Sequence, residues 1–255
     1  MIDTHVHLYD QAFDPDRDQV VQRAKEAGVS RCILPAIDMG SHEAQKNCLE
    51  CYPGFCHKAA GVHPTSVDAN YRKELDFAYA NIQNAVAIGE VGLDAYWSRE
   101  YIEQQITVFE EQIQWARDLN LPLILHSRSS FPELLNSLKR CRFPGMRGVL
   151  HAWSGSIEIF REANRYGHFL MGIGGVVTFR NARLAEVVKN TDLSALLLET
   201  DAPWLSPVPF RGKRNESAYL LYIAEKIALI KELSLDKIVD QTTQNALSLF
   251  FNIQK

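Results

Sequence analysis

Short apolar runs of strand length alternate along this chain with longer stretches whose apolar residues recur every three to four positions. The runs fall at 1–6, 31–37, 56–61, 85–89, 122–126, 148–151, 169–172 and 195–199. They are apolar through most of their length, as strands covered on both faces are. Between them, 101–119 sets Ile102, Ile106, Phe109, Ile113 and Ala116 on one helical face. Gly28 follows Ala27 where a helix should close, the position that most often needs a left-handed backbone. About eight strands, each followed by a helix, make the (β/α)8 pattern. The expected fold is α/β, a single TIM barrel occupying 1–255.

The polar residues give this pattern a second layer of order. His5 and His7 stand two apart on the first strand, so they face the same way, as two ligands of one cation require. His63 follows the third strand, Glu90 the fourth, His126 the fifth, His151 the sixth and Asp201 the eighth. In a barrel those carboxyl ends share one rim, which is where such enzymes carry their chemistry. A scatter of eight histidines would not collect there by chance, and the set reads as a metal site.

Composition narrows the function. The chain is 46% hydrophobic and 23% charged, with a formal net charge of -4 and a pI near 6.1. A surface that is basic throughout, as a general nucleic-acid binder needs, is excluded, so any such contact has to be local. The five cysteines are an odd number, and the opening residues lack the order of a secretory signal. A reducing, cytoplasmic setting is expected, with no apolar stretch of membrane-spanning length. Cys48, Cys51 and Cys56 have no second pair at zinc-finger spacing and read as thiols near a helix end. The stretch 202–215, with Pro203, Pro207, Pro209 and Gly212, is the one extended loop and should lie over the barrel mouth.

Taken as an ordered set, Asp3-Thr4-His5-Val6-His7, Gly61-Val62-His63-Pro64, Gly89-Glu90-Val91-Gly92-Leu93-Asp94, His126-Ser127-Arg128, His151-Ala152-Trp153-Ser154-Gly155 and Glu199-Thr200-Asp201-Ala202-Pro203, followed by Arg211-Gly212 and Asn215, run through the whole chain. In these motifs the sequence resembles the TatD family of metal-dependent hydrolases, within the amidohydrolase-like barrels, and is most similar to its YjjV-type branch. The resemblance implies two divalent metal ions. One would be held by His5, His7 and Asp201 and the other by His126 and His151, with Glu90 between them. Cations about 3.5 to 4 Å apart can activate water and stabilise charge on a phosphoryl oxygen. Asp201 is implied as the base that takes the proton. Imidazoles suit zinc or manganese, while the family is associated with magnesium, so the metal is expected to be Zn, Mg or Mn.

His63 matches a family position near the substrate phosphate, against the alternative of a loop histidine held by neighbouring backbone. Arg128 shares parity with His126 and could grip a phosphate through its fork, or merely bridge loops. Trp153 stands where the family usually has Phe and is expected to offer a face to a base. Asp3 and Glu199 share parity with His5 and Asp201 and are expected one layer deeper, supporting the ligands. Arg211, Lys213 and Arg214 form the clearest basic cluster, joined by Arg180 and Arg183 if the loops converge.

These readings favour a dinuclear hydrolase of phosphodiester bonds, a monomeric deoxyribonuclease acting on DNA ends in the manner of a 3'-5' exonuclease. A hydrolase of a small-molecule ester, lactone or amide would use the same metal pair. A non-catalytic metal-binding protein is the third reading, disfavoured by retention of every expected ligand together with Asp201.

Overall fold

The computed structural model describes residues 1–180 and 183–251. Among them, eight parallel strands form one sheet in sequence order: β1 (Ile2–Asp3), β2 (Arg31–Pro35), β3 (Cys56–Ala60), β4 (Ala87–Asp94), β5 (Leu123–Arg128), β6 (Arg147–Leu150), β7 (His168–Ile173) and β8 (Leu196–Leu198). The sheet closes on itself at the seam between β8 and β1. There the Thr4 N–H donates to Leu198 C=O at 3.1 Å, the His7 N–H donates to Ala202 C=O at 2.8 Å, and Val6 bridges Ala202 in parallel. The (β/α)8 barrel read from the alternating pattern is the fold.

The helices α1 (Arg17–Glu26), α2 (Met39–Cys51), α3 (Tyr71–Ala80), α4 (Ile102–Asp118), α5 (Phe131–Arg140), α6 (Ile157–Ala163), α7 (Leu184–Lys189), α8 (Leu220–Lys231) and α9 (Leu235–Ala246) ring the sheet. Local chemistry sets their ends. The Asp38 carboxylate accepts from Ser41 N–H while the Ser41 hydroxyl accepts in return from Asp38 N–H, closing the first turn of α2. Gly28 has φ +84° one residue beyond the Ala27 cap, as expected of it.

Two apolar layers result. Outward strand residues such as Leu34, Leu125 and Leu198 pack beneath the helices. Inside, Ile2, Ile33, Ala59, Ala87, Ile124, Val149, Leu170 and Leu197 give one side chain from each strand, and Leu249 and Phe250 after α9 plug the lower end. The interior is therefore dry below, and polar residues two positions further along the strands emerge together at the upper rim. Cys48 and Cys56 are buried free thiols and Cys51 is exposed. No described helix is long and apolar enough to cross a membrane.

The structure departs from the expected strand parity at two places. Ile2 points into the barrel, and the His5 and His7 rings do so as well, so the backbone shifts by one residue between them. Asp3 consequently leaves the interior. It accepts from Thr200 N–H and the Thr200 hydroxyl, from the Ser217 hydroxyl and from His5 N–H at 3.4 Å, so it supports His5 through the backbone and ties β1 to the chain after β8. The fourth strand also runs on to Asp94, past its expected end at Gly89, with a register shift between Ile88 and Val91. That shift turns Glu90 inward from mid-strand.

Candidate metal centre

The upper rim brings His5, His7, His63, Glu90, His126, His151 and Asp201 to one place. Glu90 is at its middle. Its Oε2 lies 3.2 Å from His5 Nε2 and 4.0 Å from His7 Nε2. Its Oε1 lies 2.9 Å from His126 Nδ1, 3.4 Å from His63 Nε2 and 3.7 Å from His151 Nε2. The two oxygens of one carboxylate thus address separate sets of imidazoles. Asp201 Oδ1 completes the ring at 3.5 Å from His7 Nε2, 3.7 Å from His5 Nε2 and 3.8 Å from His151 Nε2. Asp201 has φ +57°, a left-handed turn directly after β8 that Asp tolerates better than most residues.

A layer of carboxylates and hydroxyls aims these rings. His7 Nδ1 is 2.7 Å from the Tyr9 hydroxyl, which itself donates to Pro35 C=O. His126 Nε2 faces Asp94 Oδ2 at 3.0 Å. His151 Nδ1 faces Glu199 Oε1 at 3.0 Å, and the same carboxylate accepts from Ala152 N–H. Glu199 is thus where parity placed it. Asp94 and Tyr9 were missed as supports for the rings. The signal for Asp94 was its spacing of four from Glu90, which places both on one face once the strand is known to run on to Asp94.

Glycines make room for this layer. A methyl group on Gly172 would lie 2.1 Å from Glu199 Oε2, and one on Gly92 would lie 2.1 Å from His126 C=O. Both strands can approach the site only without a side chain there.

The electrostatics ask for cations. Burial opposes ionisation of Glu90, yet His63, His5 and His151 outweigh it and hold its carboxyl well below the usual range. Burial likewise opposes the charge on Asp201, and His151, His7 and His5 bring its pKa below the ordinary value. Burial lowers His151, but Glu199, Glu90 and Asp201 drive it up to about 10. A cation on the Nε2 side of His151 would answer that pull. His5 is fully buried and held neutral mainly by desolvation, the form in which imidazole ligates. Among the described residues three overlapping groups, His5 with His7 and Glu90, His63 with Glu90 and His126, and His5 with His151 and Glu199, bring their donor atoms close enough to hold an ion. The donor set fits divalent metals.

The remaining expected contacts divide. Arg128 is exposed near the mouth, its guanidinium 3.7 Å from the Tyr96 ring centre and 5.3 Å from that of Trp97. Trp153 corrects the expectation of an offered aromatic face: it is 2% exposed and packs between Phe131 and Phe160. Ala152, at φ +43°, turns the chain so that this ring goes inward. Exposed aromatics at the mouth include Tyr96, Trp97 and Trp204, the last 4.9 Å from the His7 ring. Arg211 rests on Phe179. Arg214 is turned to Asp16 and Ala12 C=O, so the basic cluster does not converge on the imidazoles as a unit. Arg180 and Arg183 are exposed.

A closed parallel barrel with a two-sided carboxylate among rim histidines defines a metal-dependent hydrolase architecture, and comparison with known proteins agrees. The model of the family described as TatD related DNase matches residues 2–251, and the chain belongs to that family. It is 40% identical over 255 residues to the uncharacterized metal-dependent hydrolase YabD of Bacillus subtilis, covering 98% of each chain. It is 36% identical over 265 residues to human deoxyribonuclease TATDN3, covering 98% of this chain and 94% of that one. The crystal structure of Escherichia coli YjjV superposes with a TM-score of 0.89 at 29% identity, over 98% of this chain and 97% of the other.

Proposed function

We propose that this metal-dependent hydrolase binds two divalent cations and cleaves phosphodiester bonds, acting as a deoxyribonuclease on DNA ends. The observation that carries the dinuclear reading is Glu90, whose oxygens lie 3.2 Å from His5 Nε2 and 2.9 Å from His126 Nδ1 on opposite sides. His5, His7 and Asp201 would hold one ion, His126 and His151 the other, with Glu90 between. The family description and the name of the human relative favour DNA. A bound cation pair supplies Lewis-acid stabilisation of the phosphoryl oxygens and makes water acidic near neutral pH.

The chain's residues do the rest. Asp201, kept ionised by its imidazole neighbours, takes the proton from the attacking water. Glu199, Asp94 and Tyr9 fix the rings of His151, His126 and His7, which keeps the ligand geometry without reorganisation during the reaction. His63, its Nδ1 2.6 Å from the Thr65 hydroxyl, turns Nε2 toward the cavity and a phosphate oxygen. Arg128 supplies a fork for a second phosphate. The protein works as a cytoplasmic monomer with zinc, magnesium or manganese.

The test is to load the purified protein with each metal and present single-stranded DNA, double-stranded DNA, RNA and a panel of carbonyl esters. DNA trimming from an end, abolished by chelation, is expected. Turnover of carbonyl esters with every phosphodiester left intact would replace this reading with the small-molecule one.

A further inference from the structure

A cavity of about 300 Å³ opens beside the His126 end of the metal centre, lined by Pro64, Thr65, Asp94, Trp97, Tyr101 and Gln105 among others. It begins one side chain from the chemistry. Asp94 reaches His126 at 3.0 Å, and Pro64 and Thr65 directly follow His63. Its volume is at the small end for ligand pockets, room for one ring system and too little for a base pair.

The character of the lining is more telling than its size. Trp97 and Tyr101 give it aromatic walls, and Trp97 is 71% exposed, an expensive way to display an indole unless something covers it. Most of the polar groups are already committed. Gln105 accepts from Asp94 N–H and donates to Asp94 C=O. The Thr65 hydroxyl is engaged by His63, Ser98 accepts from Glu100 N–H, and Asp94 holds Tyr96 N–H as well as His126. Such a cavity grips a planar ring by its faces and reads little from its edges. Arg128, braced on Tyr96 and Trp97, places a cation beside it.

From this we infer that the cavity is a subsite for the base of the nucleotide adjoining the scissile bond. The base stacks on Trp97, its phosphate lies near Arg128, and the subsite does not discriminate among bases. The inference rests on the phosphodiester reading and adds to it where the base beside the scissile bond is held.

The test compares manganese-loaded wild type and Trp97→Ala on thymidine dinucleotides carrying both bases or lacking one. In wild type, removing one particular base should raise KM about tenfold, the scale of a single base-to-aromatic stack. Trp97→Ala should raise KM on the intact dinucleotide by a similar factor and no longer respond to that removal. Dinucleotides of the four bases should differ by less than about threefold, since stacking tolerates every base. Wild type indifferent to loss of either base, Trp97→Ala that keeps full sensitivity, or a strong preference for one base would each overturn the subsite. If no dinucleotide is cleaved at all, the phosphodiester reading fails by itself. The subsite is then judged by titrating thymidine monophosphate against tryptophan fluorescence: quenching in wild type that Trp97→Ala lacks supports it, and equal quenching refutes it.

Discussion

Replacing Gly172 by alanine adds one methyl group at the position where β7 passes beneath the metal centre. The new carbon would sit 2.1 Å from Glu199 Oε2 and 2.6 Å from Glu199 Cδ, far inside van der Waals contact, in a place where Glu199 is fully buried. The carboxylate has to move. In moving it gives up Ala152 N–H, now at 2.6 Å, and its 3.0 Å approach to His151 Nδ1. An unpaired buried N–H costs roughly 1–3 kcal/mol, and overpacking costs about as much again. The metal-free variant should lose roughly 2–6 kcal/mol by chemical denaturation on those two scales. Metal affinity, measured by competition with a chelator, should fall about 10- to 100-fold because His151 loses its support. Gly174→Ala is the control: its methyl group would lie 3.7 Å from Glu199 C=O, an ordinary contact, and stability should stay within about 0.5 kcal/mol. Gly172→Ala and Glu199→Gln should combine less than additively, since both act through the same carboxylate. Unchanged metal affinity in Gly172→Ala would refute the claim that Glu199 sets the geometry of His151.

Asp201→Asn should keep its fold and lower turnover by roughly 100-fold or more, the scale of a lost general base; normal turnover at full metal occupancy would remove Asp201 from the chemistry. Asp94→Asn should weaken metal binding about tenfold or more by loosening His126, and a chelator titration indistinguishable from wild type would refute that role. The Asp16 carboxyl is held down to about 2, first by the Arg214 hydrogen bond, with burial opposing and Arg23 assisting. Its ion pairs therefore stabilise the fold above the ordinary carboxyl pKa of 3.8, and that stability is lost as pH falls through 3.8 toward 2. After allowance for solvent screening it amounts to roughly 1 kcal/mol. Denaturation of Asp16→Asn between pH 5 and about 2 should be flatter than wild type by that amount, and parallel curves would count against it. Chelation should lower the melting temperature of the metal-loaded protein, and by less in His5→Ala, which loses one of the two ion sites, because bound metal stabilises only the folded state; an equal drop in both proteins would count against His5 as a ligand.

The sequence by itself determined the barrel and the membership of its rim. Eight apolar runs, each followed by a helical period, leave little other than a closed parallel sheet. Placing His5, His126, His151 and Asp201 near the carboxyl ends of those runs is enough to bring them together, because strand ends in a barrel share one face. Parity was sound from Ile124 to His126, Val149 to His151 and Leu197 to Glu199, while Asp201 reaches the site through a left-handed turn beyond β8. Parity failed where the backbone broke alternation for reasons that are not local. Asp3 turned outward because the chain shifts by one residue between Ile2 and His5, Glu90 turned inward at the register shift between Ile88 and Val91, and Asp94 followed on the same face because β4 runs past its apolar run. Trp153 and the basic cluster were decided by tertiary structure alone. Whether a loop tryptophan covers substrate or core depends on Phe131 and Phe160 from two other elements. Whether Arg214 meets phosphate or Asp16 depends on where the start of α1 lies. A sequence encodes which residues are available at the rim; which way each one turns is a packing outcome, settled by neighbours more than 200 positions away, as Arg214 and Ala12 are at a separation of 202.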